Sequence, residues 1–195
     1  MITKLLPLYC VCVALLLCSV GGVQAESYGL GREVDADEIK LWDIDVRPDG
    51  TGLPAGDGSV EQGENVYRQH CLSCHGERGV GGVNDQLVGR INGDEFPFGR
   101  DATIKKTVGN YWPYASTLFD YIRRAMPYTQ PGVLSDDEVY SVTAYLLHLN
   151  QLLGSDSTLD AKRLRSINMP AQDRFVNDDR TNTEFISAKP DGKKK

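Results

Sequence analysis

Cys71, Cys74 and His75 sit in the run Cys71-Leu72-Ser73-Cys74-His75. Two thiols two residues apart, followed at once by an imidazole, suit covalent attachment of haem. Each thiol adds to one vinyl group, and the two-residue gap places the sulfurs under adjacent vinyls. The histidine that follows then reaches the iron from the proximal side. Two other chemistries use such a pair: a redox dithiol of the thioredoxin kind, or half of a zinc site. The first wants a βαβ pattern around it and the second wants another cysteine pair; the sequence displays neither. The remaining iron position falls to Met126, Met169, His70 or His148, or stays open. Met126 stands in Arg124-Ala125-Met126-Pro127, between two helical patterns, where a loop can cross the distal face of a haem. Pro127 stiffens that loop. Met169 also precedes a proline, but in a polar stretch, and the ordinary role of a lone methionine is to fill a gap in a core. His70 reads as a surface residue and His148 as a solvent or tail contact. The expected centre is therefore one covalent haem c on Cys71 and Cys74, with His75 and Met126 as axial ligands.

Such a centre needs helices to position it. A first helix is expected from Val60 to about Cys71, with Ser59 as N-cap and Glu61 in the first turn. Gly63 and Tyr67 share one of its faces, and a glycine inside a helix suggests close approach of another backbone. The clearest helix follows the capping box Ser135-Asp136-Asp137-Glu138. It carries Val139, Val142, Tyr145, Leu146, Leu149 and Leu153 at helical spacing and stops at Gly154. Gly63, Tyr67, Tyr145 and Leu146 are expected to form the crossing of these two helices. A third helix reads from Thr117 to Ala125, and the glycine-rich segment 76–109 reads mostly as loop. Arg123 and Arg124, with Lys105 and Lys106, form either a docking or propionate patch or a solvated face. Trp112 and Tyr114 line the haem pocket or simply pack. No Ser/His/Asp set, phosphate-binding glycine loop or second metal site stands out.

The ends frame the domain. Lys4, the apolar run Leu5 to Leu17 and the small residues of Val23-Gln24-Ala25 predict a signal peptide cleaved after Ala25, leaving no membrane span. Cys10, Cys12 and Cys18 would leave with it. Residues 26–58 read as an N-terminal arm, expected to pack through Ile39, Leu41 and Trp42. Residues 59–154 read as the haem domain, and 155–195 as a polar extension with a disordered end from Asn177. Lys and Arg number 21 against 27 Asp and Glu, a formal charge of −6, and loss of Lys4 makes the chain one unit more negative. An acidic chain argues against nucleic acid as a partner. The fold class expected is all-α, a class I cytochrome c domain with an extended arm and a polar tail.

Longer strings carry a more specific likeness. Trp42-Asp43-Ile44-Asp45-Val46-Arg47-Pro48-Asp49-Gly50-Thr51-Gly52-Leu53-Pro54 resembles the arm of the SoxD family, the cytochrome subunits of sulfane dehydrogenase in the Sox sulfur-oxidation system. So do Thr107-Val108-Gly109-Asn110-Tyr111-Trp112-Pro113-Tyr114 and Thr117-Leu118-Phe119-Asp120-Tyr121-Ile122-Arg123-Arg124-Ala125-Met126-Pro127. The likeness runs from about Gly29 to Phe175. It implies a periplasmic protein that takes electrons from a molybdenum-cofactor, SoxC-like subunit and passes them to a downstream cytochrome c. It also implies Cys71 and Cys74 as thioether sites and His75 and Met126 as ligands. Some members carry a second haem domain; one Cys-x-x-Cys-His here implies a single-haem form. The rival expectations are a freely diffusing shuttle, the cytochrome of a sulfite dehydrogenase, and an open-iron haem enzyme.

Overall fold

The computed structural model describes residues 29–91 and 95–176. The expected leader and the expected disordered end from Asn177 lie outside the described residues. Two helices dominate. α2 spans Val60–His70 and α5 spans Asp136–Leu149; α4 (Ala115–Ala125) equals α2 in length, while α1 (Ala36–Lys40), α3 (Leu72–His75) and α6 (Ala161–Arg165) are shorter. Among the described residues, the 76–109 segment contains two 3-10 turns, Glu77–Gly79 and Pro97–Gly99, and is otherwise loop, as its glycine content predicts.

The long helices begin where their side chains satisfy the free backbone N–H groups. Ser59 accepts from Gln62 N while the Gln62 side chain accepts from Ser59 N, a full capping box rather than a lone N-cap. Ser135 and Glu138 repeat the arrangement at α5. The backbone amide of Ser135 first, then its hydroxyl, hold the Glu138 carboxyl below its usual range. α5 ends at Leu149 and is capped by Asn150, earlier than Gly154, yet Leu153 beyond it is still buried.

α2 crosses α5 at Gly63. A Cβ there would lie 1.9 Å from the Ser141 carbonyl oxygen and 2.8 Å from the Tyr145 Cβ, so only glycine lets the backbones approach. Tyr67 and Tyr145 meet beside it with ring centroids 5.4 Å apart. Phe119 of α4 packs on Tyr140 of α5 at 4.4 Å between centroids.

A short antiparallel ribbon joins the segments that flank these helices. β1 (Asp57–Ser59) pairs with β2 (Thr158–Asp160), with Gly58 opposite Leu159. This ribbon, which the all-α pattern does not announce, brings the chain after α5 back onto the body. Leu159, Leu164, Met169 and Ala171 are all buried, so the polar-looking segment up to 171 is part of the core. Leu159, Leu164 and Met169 come singly, five apart, which matches neither helical nor strand periodicity.

Among the described residues, 29–43 belong to one unit and those from Ile44 onward to another. Within the first, Asp35 caps α1 by accepting from Glu38 N at 2.8 Å. Ile39, Leu41 and Trp42, expected to be packed, are instead exposed. The rest of the arm, from Ile44, belongs to the main unit. Val46 is buried, Ser116 Oγ donates to the Pro48 carbonyl at 2.7 Å, and Tyr140 OH donates to the Pro54 carbonyl at 2.8 Å.

Candidate haem-binding site

α2 gives way at Cys71 to the single turn α3. Cys74 N and His75 N both donate to the Cys71 carbonyl, at 3.1 and 2.9 Å. Residues three apart on a helical turn share a face, so this turn sets both sulfurs on one side. Both cysteines are free thiols and half-buried. Burial, with a smaller contribution from Cys74, pushes the Cys71 thiol up to about 12. A reactive dithiol needs the opposite shift, so the redox-dithiol alternative loses support. Among the described residues no three His, Cys, Asp or Glu side chains converge as a metal cage.

His75 is fixed by its own ring. Nδ1 lies 2.7 Å from the Asp85 carbonyl oxygen. A carbonyl can only accept, so Nδ1 carries the proton and Nε2 keeps its lone pair for a metal. Nε2 has no protein partner among the described residues.

The loop that supplies Asp85 is tightly held. Asn84 N donates to the Cys74 carbonyl at 2.9 Å, and Tyr67 OH donates to the Gly76 carbonyl at 2.8 Å. Gly76 has φ +77°, and a Cβ there would sit 2.0 Å from the Val80 carbonyl oxygen. Asn150 pins the far end. Its Oδ1 accepts from Gly89 N at 3.0 Å, and its Nδ2 donates to the Leu87 and Leu146 carbonyls at 3.2 and 2.9 Å. Thr107 Oγ1 adds a bond of 2.6 Å to the Gly89 carbonyl. Asn150 is fully buried, and it links the end of α5 through this loop to His75. Sequence reasoning missed it. No local signal marked it, because Asn150 lies inside the apolar pattern that runs on to Leu153.

Met126 is the residue after α4. Its N–H donates to the Ile122 carbonyl at 3.0 Å, and its backbone is extended at φ −121°. Its side chain is half-buried against the core, as are those of Cys71, Leu87, Val88 and Trp112. Met169 is 4 % exposed and belongs to the core itself, the gap-filling role. The two methionines therefore separate into one spent on packing and one held at the edge of the core.

The other candidates find protein partners. His148 Nδ1 lies 3.1 Å from the Leu153 carbonyl oxygen. Arg123 pairs with Asp136 at 2.8 Å and Arg124 pairs with Asp120, so neither is a free cationic patch. Lys106 stands over the Tyr111 ring at 4.5 Å. Trp112 Nε1 donates to Thr117 Oγ1 at 3.0 Å. Tyr114 begins α4 as its N-cap residue, without a side-chain cap bond. His70 is half-buried at the end of α2.

The set of donors fits a haem. It comprises two thiols on one turn, an imidazole with a free Nε2, and a thioether at an incompletely covered apolar edge. Thioether bonds would use Cys71 and Cys74, and the two axial positions would go to His75 and Met126.

Comparisons with known proteins bear on this arrangement. A family described as cytochrome C oxidase, cbb3-type, subunit III matches residues 58–146. Thiosulfate dehydrogenase of Psychrobacter arcticus is 29% identical over 122 residues, covering 59% of this chain and 35% of that protein. The chain thus spans about a third of that relative's length. A chain in the crystal structure of the sulfane dehydrogenase SoxCD from Paracoccus pantotrophus superposes with a TM-score of 0.68. Its sequence is 37% identical, and the match covers 84% of this chain and 80% of that one.

Proposed function

The chain belongs to the SoxD family, the cytochrome subunits of sulfane dehydrogenase, and we propose that it carries single electrons away from a molybdenum-containing partner enzyme in sulfur oxidation. The fold is that of a class I cytochrome c domain. The observation that carries the reading is the one turn that presents Cys71, Cys74 and His75, with Nδ1 committed to Asp85 and Nε2 free.

When bound, haem c supplies one-electron iron chemistry at a potential set by its ligands and surroundings. The chain's residues do the rest. Cys71 and Cys74, on one turn after α2, would hold the group through thioether bonds. The Asp85 carbonyl orients the His75 ring and makes it a better donor. The Met126 thioether would serve as a soft ligand, which favours reduced iron and suits an electron acceptor. Leu87 and Val88, on the loop that carries Asp85, would contribute apolar cover. The sulfur chemistry belongs to the partner, which is a SoxC-like molybdenum subunit; a downstream cytochrome c receives the electrons. Lys4, the Leu5 to Leu17 run and Val23-Gln24-Ala25 support export to the periplasm. Among the described residues no helix is long and apolar enough to cross a membrane.

A second reading has the partner act on thiosulfate directly. It is favoured by the likeness to a thiosulfate dehydrogenase, and what co-purifies from the native source decides between the two.

The test is export of the protein in a host that matures c-type cytochromes. The expected product keeps its Soret absorbance through acid–acetone extraction, with a mass equal to polypeptide plus one haem. Cys71→Ser combined with Cys74→Ser should release all of it. A purified wild-type protein whose mass is that of bare polypeptide would overturn the reading.

A further inference from the structure

We propose that Arg123 and Asp120 are positioning residues for Met126, because they clamp the last turn of α4 to backbone segment 44–46. The inference rests on Met126 as sixth ligand.

Met126 leaves α4 at its C-terminus, the part of a helix with unsatisfied carbonyls and a tendency to fray. One backbone bond, to Ile122, ties the residue itself. The turn before it is tied far more firmly. Arg123 Nε donates to Asp136 Oδ1 at 2.8 Å, and its Nη1 donates to the Ile44 carbonyl at 3.0 Å. Asp120 Oδ1 accepts from Val46 N at 2.7 Å and from Arg124 Nε at 2.8 Å; its Oδ2 accepts from Arg124 Nη2. Two consecutive arginines thus pull the turn in two directions. One reaches the first residue of α5 and the arm; the other reaches back to a carboxylate that itself holds the arm.

Two features set this apart from ordinary surface ion pairs. Asp120 is only 8 % exposed, and the Arg123 side chain 21 %. Charge-assisted bonds at such positions are stronger than exposed pairs, which contribute little. Segment 44–46 also lies outside residues 58–146 that match the general cytochrome domain. The clamp is therefore an addition to that domain, placed on the helix that delivers the ligand.

A thioether is a weak, neutral ligand, so its hold on iron depends on where the loop puts it. A ferric site exchanges between methionine-on and methionine-off populations, and an added ligand such as imidazole draws on the second. The clamp favours the first.

The experiment uses the ferric holoprotein. In wild type, the far-red charge-transfer band of methionine-ligated iron should be present. Arg123→Gln and Asp120→Asn should each weaken that band and tighten imidazole binding by about tenfold, the effect of losing a charge-assisted bond. Arg123→Lys, which keeps one donor, should fall between. Tyr140→Phe removes a different arm bond, that to the Pro54 carbonyl, and should lower the melting temperature without moving imidazole affinity. If Arg123→Gln does not accumulate as holoprotein, the isosteric Asp120→Asn carries the same measurement. Unchanged band and affinity in both variants would overturn the clamp, as would an equal shift in Tyr140→Phe. A wild-type protein lacking the band would instead overturn Met126 ligation, and the clamp with it.

Discussion

α2 contributes to two regions that are packed to different completeness. At its middle, Gly63 and Tyr67 lie buried against α5, whose Val139, Tyr140, Ala144 and Leu147 have no exposed surface. At its end, Cys71 leads into a turn where Cys74 and His75 are only half covered, and Leu87, Val88, Trp112 and Met126 are likewise only partly buried where they pack against the core. The first region is closed by protein alone. The second is apolar and tightly held in its backbone but unfinished in its side chains. A core completed by a flat apolar group looks this way, because the group's faces take the place of side chains the chain does not supply. The crossing should therefore respond to volume, and the open edge to ligand chemistry.

The two methionines test that division most sharply. Met169→Ala removes a side chain from the closed core and should cost about 2–5 kcal/mol, read as a fall in melting temperature. It should leave the haem spectrum intact. Met126→Ala should do the reverse, losing the far-red charge-transfer band and opening the ferrous iron to carbon monoxide, at a smaller stability cost. A spectrum that follows Met169 and ignores Met126 would exchange their roles.

Gly63→Ala comes next. Its Cβ would meet a backbone carbonyl at 1.9 Å, and backbone cannot step aside as a flexible side chain can. Overpacking costs about 1–3 kcal/mol, and the upper end applies here. The alanine regains about 1 kcal/mol of helix propensity, leaving a net loss of about 2 kcal/mol. A melting temperature equal to wild type would show that the crossing has slack.

The arm adds a pH dependence to the same division. Burial raises the Asp120 carboxyl, but the Arg124 guanidinium and the Val46 amide outweigh it and hold the group below its ordinary 3.8. Its stabilising contribution is therefore complete above that ordinary value. It is lost only as pH falls below it towards the lowered one. Acid unfolding of Asp120→Asn should lose this portion of the low-pH slope, while the neutral-pH plateau drops. Superimposable acid limbs would show that the carboxylate is not coupled to folding.

How much of this was legible follows the same line. The crossing could be read because its signals are local and periodic: a capping box at Ser135, apolar residues at helical spacing, and a glycine inside a helix. The haem turn could be read because its chemistry demands consecutive residues. Three things could not. Asn150 bonds a loop some sixty residues earlier in sequence, and no pattern encodes such a partner. Leu159, Leu164 and Met169 bury one side chain at a time, so the segment reads as polar. Ile39, Leu41 and Trp42 look like an anchoring face, but periodicity gives a face and not what covers it. In each case the missing information is tertiary.

Thr143 supplies the smallest test, on the closed side. It is fully buried in α5, and its Oγ1 is the buried side-chain polar atom without a hydrogen-bond partner among the described residues. Ser141, two residues earlier, bonds the Asp137 carbonyl at 2.7 Å, so a partner of that kind was within reach of the helix and Thr143 does not use one. Leaving a buried hydroxyl unpaired costs about 1–3 kcal/mol. Thr143→Val keeps the β-branched shape and removes the orphan, at the cost of one methyl in place of an oxygen. If the α5 side is closed by packing alone, the variant should be more stable by about 1 kcal/mol, with an unchanged haem spectrum. A loss of stability would mean that the hydroxyl has a partner in the holoprotein, and that the closed region takes part in holding the haem.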